Sequence, residues 1–299
     1  MSASSLEISH AAAEAQAGLL AADRAQSEPA GGVVDLSHGR SRRRLGLGKP
    51  KPYGWMLGPA LMILVWVAGS ATGFIDARIL PSPWATIVTA ADLLDQGKLQ
   101  THLAISLYRM LQGLAYGVTI GVVVALISGL TLIGGYVFDS LVQIKRAIPA
   151  LALIPLFILW FGVGEAMKIT VIGLMVFIPI YIHTHNALRT IDIKHVELAE
   201  SLHLSRWQFL RHIVLPGALP GFLVGLRFAV AASLLSLAVA EQINATSGIG
   251  YMINLARTYA QSNVIVVGLV VYGLLGLGSD AAVRSLEKAA LTWRRTLAR

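Results

Sequence analysis

The sequence has no cysteine, so disulfides, thiolate metal sites and cysteine nucleophiles are excluded from the outset. It is also poor in charge. Only 13% of its 299 residues are Asp, Glu, Lys or Arg, about half the share of an ordinary soluble domain. No G-x-x-x-x-G-K-[ST] phosphate loop is present, and Gly46-Leu47-Gly48-Lys49-Pro50 lacks that spacing. The chain therefore carries no nucleotide-binding motif of its own, and any ATP would be bound by another chain. What it has in abundance is apolar residues, 55% of the total, with a mean hydropathy of +0.67. They fall in long blocks, which predicts an all-α polytopic membrane protein. The net charge of +8 reads as basic residues kept on one side of a membrane, with no nucleic-acid partner.

Residues 1–52 are rich in Ala, Ser, Gly and Glu and then basic, with Arg42, Arg43, Arg44, Lys49 and Lys51. They predict a disordered basic tail. Residues 53–100 hold a first transmembrane helix, about Trp55 to Gly73, then an amphipathic surface segment after Pro81-Ser82-Pro83-Trp84. Residues 101–287 form the core. Its second span is expected at Leu111 to Leu132. A third lies between Arg146 and Glu165, broken by Pro149 and Pro155, and a fourth at Ile169 to Leu188 is interrupted by Pro179. The fifth runs from Leu219 to Ala240, followed by an outer loop over 242–262 and a sixth span at Val264 to Ala282. Residues 288–299 are a second basic tail.

Six spans place both termini on one side. That side then carries eighteen Lys and Arg: seven in the N-terminal tail, Lys145 and Arg146, four from Arg189 to Arg211, and five at the C-terminus. The opposite side carries four: Arg78, Lys98, Lys168 and Arg257. The bias predicts cytoplasmic termini.

Between the fourth and fifth spans lies a polar island, residues 190–216, long enough for two short helices. Asp192 is a plausible N-cap, and Ser205 with Gln208 has capping-box spacing. His203 sits where a break is needed, and Pro216 and Pro220 fall near the start of the next span. Within the island, Glu197-Leu198-Ala199, His203 and the run Ile213-Val214-Leu215-Pro216 have the spacing of the EAA motif. In this the chain resembles the membrane subunits of bacterial ABC importers. Leu198 replaces the motif's middle Ala and His203 its Gly; His tolerates the left-handed conformation better than most residues.

Longer stretches resemble the aliphatic sulfonate, taurine and nitrate importer group, nearest to the alkanesulfonate permeases. They are L-A-L-I-P-L-F-I-L-W-F-G (Leu151 to Gly162), P-I-Y-I (Pro179 to Ile182), L-P-G-A-L-P (Leu215 to Pro220), V-G-L-R-F-A (Val224 to Ala229) and S-G-I-G-Y (Ser247 to Tyr251). The resemblance implies a type I importer permease fold, with about six transmembrane helices and a cytoplasmic two-helix coupling loop. It implies a multi-pass bacterial inner-membrane protein that is not itself an enzyme. Its partners would be two ATP-binding subunits, an extracytoplasmic substrate-binding protein, and a second copy of the chain or a paralogue, all within membrane lipid. Glu197, Ala199, His203, Ile213, Leu215 and Pro216 would serve ATPase docking. Arg227 and Glu241 are candidates for the translocation pathway, and no metal site is expected. The cargo would be a small organic anion, an aliphatic sulfonate first, with taurine and nitrate as alternatives. The competing reading is an ion-gradient-driven carrier; span centres nearly bare of ionisable groups weigh against it.

Overall fold

The computed structural model describes residues 56–243 and 245–293. The expected tail over 1–52 lies outside them, as does the chain after residue 293.

The described residues form helices and turns. A 15-residue apolar helix, α1 (Leu57–Ala71), buries no side chain against the rest of the chain; it is tied down by the Trp66 indole N–H, which donates to the Pro81 carbonyl at 3.0 Å. Helix α2 (Pro83–Asp95) starts where expected, capped by Ser82 with Pro83 in its first turn. Four helices are long and apolar enough to cross a membrane: α3 (Lys98–Leu130), α6 (Glu165–Arg189), the run Arg206–Gln242, and α11 (Ser262–Ala290). The 33 residues of α3 span about 50 Å, more than the ~30 Å of a hydrocarbon core. Among the described residues a bent pair makes a fifth such segment when taken as one span, and with the shorter apolar α1 the count is roughly consistent with six.

That pair revises the expected third span. Residues 146–165 supply only its second half. Helix α4 (Leu132–Ala147), capped by Thr131, joins a 3₁₀ turn (Ala150–Leu153) and α5 (Ile154–Phe161), with a bend of 84° between the halves. Pro149 and Pro155 flank the bend, because neither can donate to a helical ladder. Lys145, counted at the inner surface, instead points its Nζ at the Leu174 carbonyl, 3.4 Å away and well inside α6.

Pro179 and Pro220 also depart from expectation. Both lie inside helices that continue through them, α6 and α9 (Leu215–Gln242). Close neighbours allow this. A Cβ at Gly225 of α9 would lie 3.0 Å from the Pro179 carbonyl, so the two backbones nearly touch and flanking packing supports the weakened turn.

Helix α6 is the centre of the bundle, packed between α3 and α9. The α3 face toward it carries Gly113, Gly117, Gly121, Ala125 and Gly129, one small residue every four, where a helix repeats its face. A Cβ at Gly117 would strike Val176 and the Gly173 carbonyl, and one at Gly121 would strike Ile180. Without side chains between them the backbones close up, as helices in lipid do when dispersion must replace the hydrophobic effect. Met110, Ile172, Val176, Ile180, Ala229 and Leu237 fill the core these three helices share. At one end, Leu99, Ile249, Met252 and Val267 join α3 and α11 to α10 (Ile249–Thr258). Helix α10 occupies much of the stretch expected to be an outer loop. The glycines do make the turn, but Gly248 (φ 111°) ends it and Gly250 already belongs to the helix.

Candidate functional site

Two polar assemblies sit at opposite ends of α6 and α9. The first is the island. Helix α7 (Ile193–Ser201) starts at Asp192, whose side chain accepts from the Lys194 N–H. It ends on His203, which adopts φ 52° and whose Nδ1 lies 3.1 Å from the Glu200 carbonyl. The Glu200 carbonyl also accepts from the His203 backbone N–H at 3.0 Å, a bond that a motif glycine would keep, so the imidazole adds a second contact at the helix end. The Ser205–Gln208 capping box is complete in both directions, at 3.3 and 2.9 Å, and starts α8 (Arg206–Phe209).

Helix α8 does not end before the span. It passes through a π turn (Leu210–Val214) into α9, giving one 37-residue rod from Arg206 to Gln242. Pro216 accounts for the wide turn: its ring would crowd the His212 carbonyl in a regular helix, and an extra residue in the preceding turn makes room. Val214 and Ala218 pack with Leu188, Ile191, Phe209 and Leu210 at the island's base.

Of the six motif residues expected to dock a partner, Glu197 and His203 face solvent, and Leu215 is 41% exposed. Ile213 and Pro216 are half-buried, and Ala199 is buried within the island itself. The island's most exposed large apolar side chains are Ile193, Leu198, Leu202 and Trp207, none of them among those six.

The second assembly is built on Arg109, 1% exposed. All five of its N–H donors are used. Nε and Nη2 form a bidentate pair with the Glu165 carboxylate at 2.6 Å each. Nη1 donates to Glu241 Oε1 at 2.8 Å and to the Ser247 carbonyl at 2.7 Å, and Nη2 reaches Ser247 Oγ at 3.2 Å. Glu241 is equally enclosed. It accepts from Ser106 Oγ, from the Gly250 N–H at 2.9 Å and from the Tyr272 hydroxyl at 3.2 Å. A Cβ on Gly248 would run into this carboxylate. Lys168, also buried, donates to Glu165 Oε1 at 2.9 Å. One guanidinium therefore clasps the start of α6, the end of α9 and the 247–250 turn.

The sequence offered Glu241 as a pathway candidate and assigned no role to Arg109, and it did not connect them. A signal existed: Arg109, Glu165, Lys168 and Glu241 all border long uncharged runs at corresponding ends of their spans. At the other end, Asp139 receives the Tyr181 hydroxyl and lies 3.3 Å from His185 Nδ1 and 3.6 Å from Arg189. His183 points elsewhere and stacks on Phe228 of α9. Arg227, the second pathway candidate, is half-exposed. It borders a cavity of about 650 Å³ and pairs with Asp280, which also holds Arg284.

Residues 117–291 match the family of binding-protein-dependent transport system inner membrane components. The chain is 36% identical over 274 residues to the putative aliphatic sulfonates transport permease protein SsuC of Bacillus subtilis (strain 168), covering 91% of this chain and 98% of that one. It is 44% identical over 239 residues to the protein of the same description from Escherichia coli (strain K12), covering 80% and 90%. Identity to the taurine transport system permease protein TauC of the same organism is 31% over 240 residues, covering 78% and 87%. Among solved structures, an amino acid ABC transporter with histidines shares the fold, with a TM-score of 0.57 and 17% identity over 68% of this chain and 97% of that one.

Proposed function

Because the chain belongs to the family of binding-protein-dependent transport system inner membrane components, the permeases of ABC importers, we propose that it forms the membrane pathway for an aliphatic sulfonate and docks two ATP-binding subunits through its island. The substrate reading rests on the two SsuC relatives, matched over nine-tenths or more of their length. Taurine or nitrate would be the next solutes to try. An extracytoplasmic binding protein would deliver the cargo, and a second copy of the chain, or a paralogue, would complete the pathway.

One observation carries the docking role. The island holds its shape through its own caps yet leaves Leu198, Leu202 and Trp207 more than half exposed, at 54, 62 and 64%. Such a patch on a rigid, polar projection favours a protein partner. The Lys and Arg bias puts the island and both termini in the cytoplasm, where ATP is available. Glu197 and His203 offer polar contacts at the dock, and Ala199 holds the island together. Ile213, Leu215 and Pro216 join it to the span. Binding and hydrolysis of ATP by the partners would move this tip, and the 37-residue rod would carry that motion across the bilayer. Arg227, half-exposed beside a cavity, is the better placed pathway candidate; Glu241, closed in by this chain's own groups, would act by holding the outer end of the rod.

The test is uptake of labelled ethanesulfonate by wild type, a deletion strain, and the deletion strain carrying Glu197→Ala. The expected result is uptake lost on deletion and not restored by a membrane-inserted Glu197→Ala copy. Unchanged uptake after deletion would reject the sulfonate. Failure of an ATP-binding subunit to co-purify with the wild-type chain would reject the docking role.

A further inference from the structure

Arg109 and Lys168 are two cations withdrawn from solvent, 1% and 3% exposed, and their shared partner Glu165 is not withdrawn: its side chain is 53% exposed. Glu165 Oε1 takes both the Lys168 ammonium and Arg109 Nη2, while Oε2 takes Arg109 Nε. Among the described residues, Glu165 is the only polar side-chain partner of Lys168. By contrast, the opposite side of Arg109 is closed off by the fully buried Glu241 and by Ser247. The arrangement is thus a fixed half and an exchangeable half. The exchangeable half is a two-cation cradle whose present occupant is a carboxylate on a flexible side chain at the first residue of α6.

The cradle suits a particular kind of anion. A bidentate guanidinium edge with an adjacent ammonium matches a group with several coplanar or tetrahedral oxygens. Departure of Glu165 into water would leave two buried cations against the single charge of Glu241, and an incoming monoanion would restore the balance at no net cost in charge. Gly164, the N-cap of α6, immediately precedes Glu165. As the first residue of α6, Glu165 can swing its half-exposed side chain into solvent without loss of any intrahelical bond to its own N–H. The cradle also lies at the end of the bundle opposite the island, which the proposed orientation makes the outer end, where cargo arrives.

The geometry points to Arg109 and Lys168 as an anion-receiving site at the outer mouth, in which a sulfonate headgroup displaces the Glu165 carboxylate. This rests on the permease reading above and adds the group that the cargo first meets. Glu165 then acts as an internal stand-in, keeping the cations neutralised while the site is empty and setting a threshold that weakly held anions do not pass.

The experiment uses the full chain, purified in lipid nanodiscs, with ethanesulfonate and inorganic sulfate as probes and thermal stabilisation as the readout. Glu165→Gln keeps the side chain's shape and removes the competing charge. It should bind ethanesulfonate about tenfold more tightly than wild type, the factor expected of roughly one charge-assisted hydrogen bond. Lys168→Met should bind about tenfold more weakly. If Lys168→Met does not fold, Glu165→Gln against wild type decides alone. Equal affinities for ethanesulfonate in wild type and Glu165→Gln, or no response in either, would overturn the site. Cellular uptake separates this from the substrate reading. Ethanesulfonate uptake with no change in affinity leaves the permease role standing and removes the cradle. The expected affinity pattern without uptake keeps the cradle and removes the sulfonate as cargo.

Discussion

At one end of α6 and α9, charged groups are drawn inside and almost every donor is matched to an acceptor in the same chain; at the other end, the island turns apolar side chains outward and satisfies only its own helix ends. Arg109 directs all five of its N–H donors to groups of this chain. Leu198, Leu202 and Trp207 sit on a polar projection with no cover. The first end is self-sufficient and the second is incomplete. The difference teaches how the two ends differ at rest: one balances its buried charges within the chain, and the other leaves apolar surface bare, which is what the proposed docking of a protein partner would cover. The 37-residue rod joins the two, because Glu241 at one tip and the Ser205 cap at the other belong to a single uninterrupted helix.

Breaking the first end should cost most. Glu241→Ala leaves the buried Arg109 short of a carboxylate and should destabilise the chain by about 3–5 kcal/mol, read as a large fall in melting temperature and in yield of inserted protein. Gly117→Leu, in the close contact between α3 and α6, should cost about 1–3 kcal/mol by overpacking, with the same readout. At the island the effects on stability shrink. His203→Gly should stabilise the turn by no more than about 1 kcal/mol. It relieves a left-handed residue but gives up the imidazole cover, and hydrogen exchange over 201–205 would register the balance. Trp207→Ser should change stability by less than about 0.5 kcal/mol. It should nonetheless sharply reduce co-purification of the ATP-binding subunit. A Trp207→Ser protein that melts early would show that the ring packs on its own bundle, and the contrast between the ends would collapse.

Much of the island was readable in order along the chain. Asp192, His203, Ser205 with Gln208, and Pro216 each act on neighbours within a few residues, so cap, break and helix start follow from local chemistry. The clasp was not readable in this way. Arg109, Glu165 and Glu241 are separated by 56 and 132 positions from the arginine outward, and nothing local says which acid an arginine will meet. The bent third crossing failed for a related reason. Pro149 and Pro155 announce a break, but whether the helix before it belongs to the same crossing depends on what α4 packs against. Pro179 shows the reverse: local chemistry argued for interruption, and neighbouring helices overrode it.

By itself, then, the amino-acid sequence determined the class of molecule, the places where helices start, and the character of the island, since hydropathy, capping and proline act over a turn or two. Tertiary structure decided which charges meet, that α8 and α9 are one rod, and that α6 lies between α3 and α9. Those outcomes depend on how closely backbones approach, and the glycines at 113, 117 and 121 permit that approach only because a particular neighbour is there to fill it.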